Sequence, residues 1–260
     1  MRINTGMDAT LGERTPGNIK EAWDLDLQKA EPVWRPATDK ELAKIMQYDT
    51  LKFVAQSEVP PNTDVIPGVW EFKIKRNPDG SIASYKARWC VDGKRAVYGI
   101  HYDDTFSPTV RAASVRALWH KAMSLGVKPC MTDVESAFLN AYLDKAVYVT
   151  CPQGYERYDE DGTPMVAMVL KALYGMPQAP RCWHDEVAKR LLKHGFKRSE
   201  ADPCVFTYCE GDKFMGLGLH VDDFMRVASH PELHDWLHNV VLKGYVCKDE
   251  GLADCFLGVQ

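Results

Sequence analysis

Apolar and polar residues alternate in two neighbouring stretches, 69–76 (VWEFKIKR) and 82–91 (IASYKARWCV). Such alternation is typical of strands that bury one face. The NPDG sequence at 77–80, between the two stretches, is a strong turn signal. The pattern therefore predicts a β-hairpin over these residues.

This predicted hairpin is rich in cations. Because strand side chains repeat every second residue, Lys73 and Lys75 share a face of the first strand, and Lys86 and Arg88 share a face of the second. A projection with cations on one face could grip a triphosphate or a nucleic-acid backbone. A solvated hairpin face is the simpler interpretation.

Further elements follow from the same patterns. Helical periodicity predicts amphipathic helices at 18–31, 37–49, 114–125, 136–143 and 231–243. A further helix is predicted to follow the turn 173–183, with Pro177 or Pro180 in its first turn and Gly195 at its end. Ser114 is expected to cap the helix at 114–125. Short apolar or alternating runs predict strands at 128–134, 147–151, 165–171, 204–209 and 214–221, and a small hairpin at the C-terminal end. The order predicts an α+β fold in which an antiparallel sheet is backed by helices on one face.

A second hairpin, GLGLHVDDFMRV at 216–227, carries Asp222 and Asp223 at its turn. Paired carboxylates at the tip of an apolar hairpin favour a divalent cation, because hard cations take carboxylate oxygens. Two aspartates in a solvated turn are the alternative, since Asp is common in turns. Asp133 ends the predicted strand 128–134, where it could point into a cleft or cap the next helix.

Composition fits a globular protein, since 45% of the 260 residues are hydrophobic and 26% are charged. No apolar run approaches the roughly 18 residues of a membrane span, and the first residues lack the apolar stretch of a secretory signal. The eight cysteines are expected to be reduced, and the spacing of Cys204 and Cys209 disfavours a zinc site. The face shared by His230, His234 and His238 is expected to be exposed and polar.

Charge is unevenly distributed along the chain. Residues 70–130 hold eleven Lys or Arg against five Asp or Glu, so this segment is +6 although the whole chain is −4. A basic segment set against an acidic remainder could bind phosphate, or it could be an ordinary solvated surface.

Several motifs occur together in a characteristic order. They are the hairpin VWEFKIKRNPDGSIASYKAR, then TFSP, TDVESAFLNAYL, LYGMPQAPRCW, the VDD hairpin and FLG at 256–258. Each motif alone is weak, but the ordered set is specific. The chain resembles the reverse transcriptase (RNA-dependent DNA polymerase) domain of copia-type LTR retrotransposons, over roughly residues 20–260.

The resemblance implies an α+β right-hand polymerase with fingers and palm, whose antiparallel palm sheet is backed by helices and whose thumb is largely missing. The implied segments are a disordered tail, a helical lead-in, a fingers-like basic hairpin and helix, and a palm-like part with an interleaved fingers segment. Their boundaries are 1–17, 18–67, 68–127 and 128–260.

The resemblance also implies an active site. Asp133, Asp222 and Asp223 would be the catalytic residues and would bind two Mg²⁺ ions, for which Mn²⁺ can substitute. The implied nucleotide-binding residues are Lys86 and Arg88 at the triphosphate, Phe138 under the sugar, and Tyr174 and Gln178 at the nucleotide and template. Phe138 would clash with a 2′-hydroxyl, although a core aromatic residue is the simpler interpretation.

The implied partners are an RNA or DNA template with its primer, deoxynucleoside triphosphates, and integrase and ribonuclease H on the same polyprotein. No membrane is implied, and a cytoplasmic virus-like particle or the nucleus is the expected compartment. Some residues depart from the family pattern, among them His220, Gly216, Gly218 and Arg226. The alternative is therefore a truncated, inactive retrotransposon remnant with at most weak nucleic-acid binding.

Overall fold

The computed structural model describes residues 13–259, which form two compact units. The first unit comprises the chain up to Asp103 together with Tyr142–Ala179, and the second comprises Asp104–Ala141 together with Pro180 onwards. Most of the predicted tail, residues 1–12, lies outside the described residues. Within residues 13–17, Glu13 accepts a hydrogen bond of 2.6 Å from the Tyr85 hydroxyl.

The elements in chain order are α1 (Ile19–Asp26), α2 (Trp34–Gln47), β1 (Leu51–Val54), β2 (Val65–Ile66), β3 (Gly68–Arg76), β4 (Ile82–Val91), α3 (Ala112–Leu125), β5 (Cys130–Val134), β6 (Tyr142–Thr150), β7 (Val166–Lys171), α4 (Ala179–Lys193), β8 (Lys197–Arg198), β9 (Val205–Glu210), β10 (Lys213–His220), β11 (Asp223–Ala228), α5 (Glu232–Trp236) and β12 (Cys247–Leu252). The predicted mixture of helices and sheets is confirmed.

The first unit contains a four-stranded sheet of order β1-β7-β6-β2 and the separate hairpin β3–β4. β2 and β6 run parallel, whereas the other pairs are antiparallel. The first predicted helix ends at Asp26 because this carboxylate accepts the N–H groups of residues 33–35 at the start of α2. The buried Trp34 then packs edge-on against Phe72 and Tyr85 of the hairpin.

The second unit is built on a six-stranded antiparallel sheet of order β12-β5-β11-β10-β9-β8. Helix α3 lies against β10 and β11. A Cβ atom on Gly216 would lie 2.8 Å from Cδ2 of Leu118, and one on Gly218 would lie 3.0 Å from its Cδ1. The two glycines therefore let the helix approach the sheet closely.

Three local predictions are wrong. Helix α3 begins at Ala112, and Ser114 donates to the Asp202 carboxylate at 2.6 Å instead of capping the helix. The helix expected at 136–143 is a short 3₁₀ turn, Ala137–Asn140, followed at once by β6. The C-terminal hairpin is replaced by β12, which pairs with β5. The helix expected at 231–243 is confirmed over 232–241, where α5 continues into a π-helical turn, Leu237–Val241.

None of the helices described over residues 13–259 combines the length and the apolar character needed to cross a bilayer.

Candidate active site

Two adjacent strands of the second unit bring the three predicted aspartates together. In the antiparallel pair of β5 and β11, Asp133 lies directly opposite Asp223. Residues facing each other in this way have Cβ atoms about 5 Å apart. Asp222 precedes β11 in the turn from β10, and its carbonyl accepts the N–H of Val134 at 2.9 Å. The ends of two paired strands and the turn before β11 therefore carry the three carboxylates.

The turn that carries Asp222 is strained. Val221, its first residue, has φ of 58°, a conformation that is unusual for a β-branched side chain. The Trp183 indole N–H donates to the Val221 carbonyl at 2.6 Å. Because strained backbone persists only where its surroundings over-determine it, this bond helps to define the turn.

The electrostatics of the turn reflect crowded negative charge. Burial and then the charge of Asp222 raise the pKa of both Asp133 and Asp223 above their ordinary values. Both carboxyl groups are half-buried, whereas Asp222 is exposed. Glu250 on β12 adds further negative charge beside both groups. A cation at this end of the two strands would relieve the repulsion.

The donor set suits a hard cation better than zinc. Among residues 13–259, no three His, Cys, Asp or Glu side chains form a ready-made metal cluster, and this includes the three aspartates. A structural zinc site would require such a cluster. Magnesium instead binds through one or two carboxylates together with substrate phosphates and waters. The three aspartates offer oxygen donors of the kind that magnesium takes, and substrate phosphates and waters would have to complete the coordination.

Strand β12 contributes residues that sequence reasoning missed. Lys248 lies opposite Asp133 in the pairing of β12 with β5, and its ammonium contacts Glu250 at 3.1 Å. The positive charge of Lys248 opposes the rise in the pKa of Asp133. No local signal could have found these residues, because the pairing joins segments more than a hundred positions apart.

Behind the aspartates, a polar network is buried against the sheet. Arg226 on β11 is only 1% exposed, and it forms an ion pair with Asp249 and donates to Nδ1 of His234 at 3.0 Å. A hydrogen bond of 2.9 Å joins His238 to Thr132, the neighbour of Asp133. The prediction that this histidine face is exposed is therefore wrong, because His230, His234 and His238 are all half-buried.

In the first unit, the pairing of β3 with β4 confirms the shared cationic face. Lys73 lies opposite Lys86, and Glu71 lies opposite Arg88. Desolvation and then the neighbouring Lys75 ammonium lower the pKa of Lys86. An anion bound at this face would reduce the repulsion between these like charges.

The turn after β7 lies beside this hairpin within the first unit. The Tyr174 carbonyl accepts the Val91 N–H at 2.8 Å, and the Arg88 guanidinium lies 5.4 Å from the centroid of the Tyr174 ring. Lys44 of α2 lies 6.0 Å from the same centroid, and sequence reasoning did not identify it. Tyr174 is half-buried and belongs to one cluster with the predicted triphosphate ligand Arg88.

The two remaining nucleotide-binding candidates lie in different environments. Gln178 is 4% exposed, and its amide donates to the His101 carbonyl at 3.2 Å within the first unit. Phe138 is half-buried in the 3₁₀ turn that follows β5 in the second unit. Their predicted roles stay predictions.

Comparison with known proteins identifies the class of protein that carries this arrangement. A model of the family "Reverse transcriptase (RNA-dependent DNA polymerase)" matches residues 48–260. The chain is 32% identical over 249 residues, 95% of its length, to the retrovirus-related Pol polyprotein from transposon TNT 1-94 of Nicotiana tabacum. It is 33% identical over 229 residues, 87% of its length, to that from transposon RE1 of Arabidopsis thaliana.

The chain belongs to the reverse transcriptase family, and its relatives identify it as a copia-type reverse transcriptase domain. It spans only 18% of the TNT 1-94 polyprotein and 15% of the RE1 polyprotein.

Proposed function

We propose that this chain is the RNA-directed DNA polymerase domain of a copia-type retrotransposon Pol polyprotein, with Asp133, Asp222 and Asp223 as its metal ligands. The observation that carries the proposal is the direct pairing of Asp133 with Asp223 beside the turn that bears Asp222. The second unit would then be the palm, and the β3–β4 hairpin would belong to the fingers.

The three carboxylates would hold two Mg²⁺ ions, with Mn²⁺ as a substitute. Such ions activate the attacking primer 3′-hydroxyl and stabilise the leaving pyrophosphate. Asp133 and Asp223 contribute from paired strands, so the backbone ladder fixes the separation of their side chains. Asp222 contributes from the turn, and the Val134 N–H anchors its position.

The cationic hairpin face would bind the triphosphate of the incoming nucleotide. Arg88 offers a planar fork that matches phosphate oxygens, and Lys86 adds a point charge beside it. Tyr174 and Gln178 are proposed at the nucleotide and template, and Phe138 is proposed to exclude a 2′-hydroxyl.

The alternative is an inactive remnant, which several departures from the family pattern raised, His220 among them. The departures at Gly216, Gly218 and Arg226 have counterparts in the packing. Gly216 and Gly218 make room for Leu118, and Arg226 has Asp249 as its ion-pair partner. These contacts favour a palm whose structure is kept over the palm of a decayed remnant.

Primer extension tests the proposal. Purified protein is given an RNA template, a DNA primer and deoxynucleoside triphosphates, in Mg²⁺ and separately in Mn²⁺. Asp222→Asn should abolish extension. Asp212→Asn is the matched control, because Asp212 lies in the β9–β10 turn of the same sheet and is largely exposed. Extension that survives Asp222→Asn would exclude the proposed metal site, and absence of extension by the folded wild type in both metals would favour the remnant.

A further inference from the structure

Trp183 on α4 is bonded to the strained residue that precedes the aspartate pair. Val221 occupies the first position of a two-residue hairpin turn with φ of 58°, where glycine is normally preferred. Holding a residue in such a region costs free energy, which contacts with the surrounding structure must offset. The 2.6 Å bond from the Trp183 indole to the Val221 carbonyl is one such constraint.

The indole is itself fixed in place. Trp183 is 1% exposed, and its ring packs edge-on against Tyr245 at 5.3 Å between centroids. The Tyr245 hydroxyl donates to Glu186 at 3.0 Å, and the Arg190 guanidinium lies 3.8 Å from the centroid of the Tyr245 ring. The donor therefore sits in a packed cluster and cannot follow the turn if the turn relaxes.

The two central carbonyls of the turn are held from different elements. The Val221 carbonyl accepts from Trp183 of α4, and the Asp222 carbonyl accepts from Val134 of β5. The ladder bond to Val134 belongs to the sheet and would survive a change at Trp183. The bond from the indole comes from a side chain, so a single substitution at Trp183 can remove it.

We propose that Trp183 is a positioning residue, which holds the Val221 turn in the conformation that presents Asp222 and Asp223 to the metal ions. The inference rests on the proposed function for its consequence in catalysis. Its mechanical part, the ordering of the turn, stands on the geometry alone. A displacement of about 1 Å in a catalytic group can cost about a hundredfold in rate, so a relaxed turn should slow turnover.

Trp183→Phe removes the indole N–H and keeps an aromatic ring. Trp70→Phe is the matched control, because the Trp70 indole is also buried and donates to a backbone carbonyl, that of Gln153 at 3.1 Å in the first unit. Amide hydrogen exchange of a peptide spanning 219–225 reports the turn without any activity. We expect exchange there to rise about tenfold in Trp183→Phe, the equivalent of one lost hydrogen bond, and to be unchanged in Trp70→Phe.

Turnover supplies the second readout. Trp183→Phe should lower kcat for nucleotide addition about tenfold or more and leave KM for the nucleotide nearly unchanged, because the turn presents metal ligands. Affinity for Mn²⁺, followed by electron paramagnetic resonance, should fall in parallel. Trp70→Phe should retain both values.

A double variant tests whether strain is the link. Val221→Gly lets the turn adopt φ above zero without cost. Trp183→Phe should therefore reduce kcat and raise exchange less in the Val221→Gly background than in the wild type. Additive effects would show that the indole acts elsewhere.

The outcomes separate the two proposals. Unchanged exchange in Trp183→Phe overturns the positioning role, whatever the activity. Increased exchange with normal kcat and normal Mn²⁺ affinity overturns its catalytic part. A wild type that neither extends primers nor binds Mn²⁺ through Asp222 overturns the proposed function, while the exchange result still decides whether Trp183 orders the turn.

Discussion

Arg226 and Asp249 form an ion pair across β11 and β12 in which the two partners differ in burial. The Arg226 side chain is 1% exposed, and that of Asp249 is 51% exposed. Nε of Arg226 has no hydrogen-bond partner among the described residues, although its other nitrogens contact Asp249, His234 and the Met131 carbonyl. The burial cost of the charge therefore falls on the arginine, and the pair offsets only part of it.

We predict that removing Asp249 is more harmful than removing Arg226. Asp249→Ala leaves a buried guanidinium without its counter-charge, which should lower the free energy of unfolding by roughly 1–3 kcal/mol. Arg226→Met replaces the charge with an apolar side chain and should cost less, because well-packed hydrophobic replacements of buried ion pairs are often neutral. Urea unfolding of both variants measures the order, and a larger loss in Arg226→Met would contradict it.

The same network makes the second unit sensitive to acid. Burial, followed by the charge of Arg226, lowers the pKa of His234 and His238 below the ordinary value of 6.5, and Asp249 and Asp235 oppose this. The unfolded state then binds more protons than the native state in the window below pH 6.5. Stability should therefore fall as pH drops from about 7 towards the lowered pKa values.

Urea unfolding at pH 7 and pH 5.5 checks the sign of this effect. His234→Phe removes one titrating group, so it should lose less stability between the two pH values than the wild type. His120 is exposed on α3, so solvent reaches its imidazole in the native state. It provides the matched control His120→Phe, whose stability should change with pH as that of the wild type does. Equal pH dependence in His234→Phe and the wild type would contradict the assignment.

The aspartates of the candidate active site should give the opposite dependence of stability on pH. Burial and then the charge of Asp222 raise the pKa of Asp223, so the native state holds this proton more tightly than the unfolded state. Stability is therefore lost as pH rises from the ordinary Asp value of about 4 through the raised pKa. Asp223→Asn removes this penalty, and at pH 7 its melting temperature without metal should exceed that of the wild type by about 2–4 °C.

Added magnesium should reverse the order of the melting temperatures of the wild type and Asp223→Asn. A ligand that binds only the native state stabilises it by mass action, so added Mg²⁺ should raise the melting temperature of the wild type more than that of Asp223→Asn. Asp212→Asn changes the β9–β10 turn, at the other end of β10. Its melting temperature should respond to Mg²⁺ as that of the wild type does. A melting temperature of Asp223→Asn below that of the wild type without metal would contradict the proposed repulsion.

What the sequence could predict depended on how local the cause was. The β3–β4 hairpin was predicted nearly residue by residue, because alternation and the NPDG turn are contained within 25 consecutive residues. Ser114 was misassigned as a cap because its acceptor, Asp202, is remote in sequence. Residue pattern alone did not bring Asp133 to the aspartate pair, since only the resemblance to a family supplied that long-range pairing.

The two glycines of β10 show the same limit, and they carry a further prediction. Pattern alone marks them as weak points in a strand, whereas the fold uses them to admit Leu118. Gly216→Ala should destabilise the second unit by roughly 1–3 kcal/mol through overpacking. Leu118→Ala should also destabilise it, by leaving a cavity.

The two changes should compensate each other. In the double variant the new methyl group occupies part of the space that Leu118 vacates, so its loss of stability should be smaller than the sum of the single losses. Urea unfolding of the four proteins measures this coupling. Additive losses would mean that Leu118 is not the group that a Cβ at position 216 meets.

The cationic hairpin face provides the last prediction. Lys86 and Arg88 lie on β4 with Lys73 opposite, and partial desolvation with the neighbouring Lys75 ammonium lowers the pKa of Lys86. Charge removal in Lys86→Gln should therefore relieve repulsion within the hairpin and leave its stability equal or higher. It should also raise KM for the nucleotide several-fold, if the face binds the triphosphate as proposed.

Lys52→Gln is the matched control, because Lys52 is exposed on β1 of the other sheet in the same unit. The contrast in KM between the two variants should shrink as salt rises from 50 to 300 mM, since screening weakens contacts between exposed charges. Equal KM values for both variants at low salt would remove Lys86 from the nucleotide site, while a loss of stability in Lys86→Gln would contradict the charge repulsion itself.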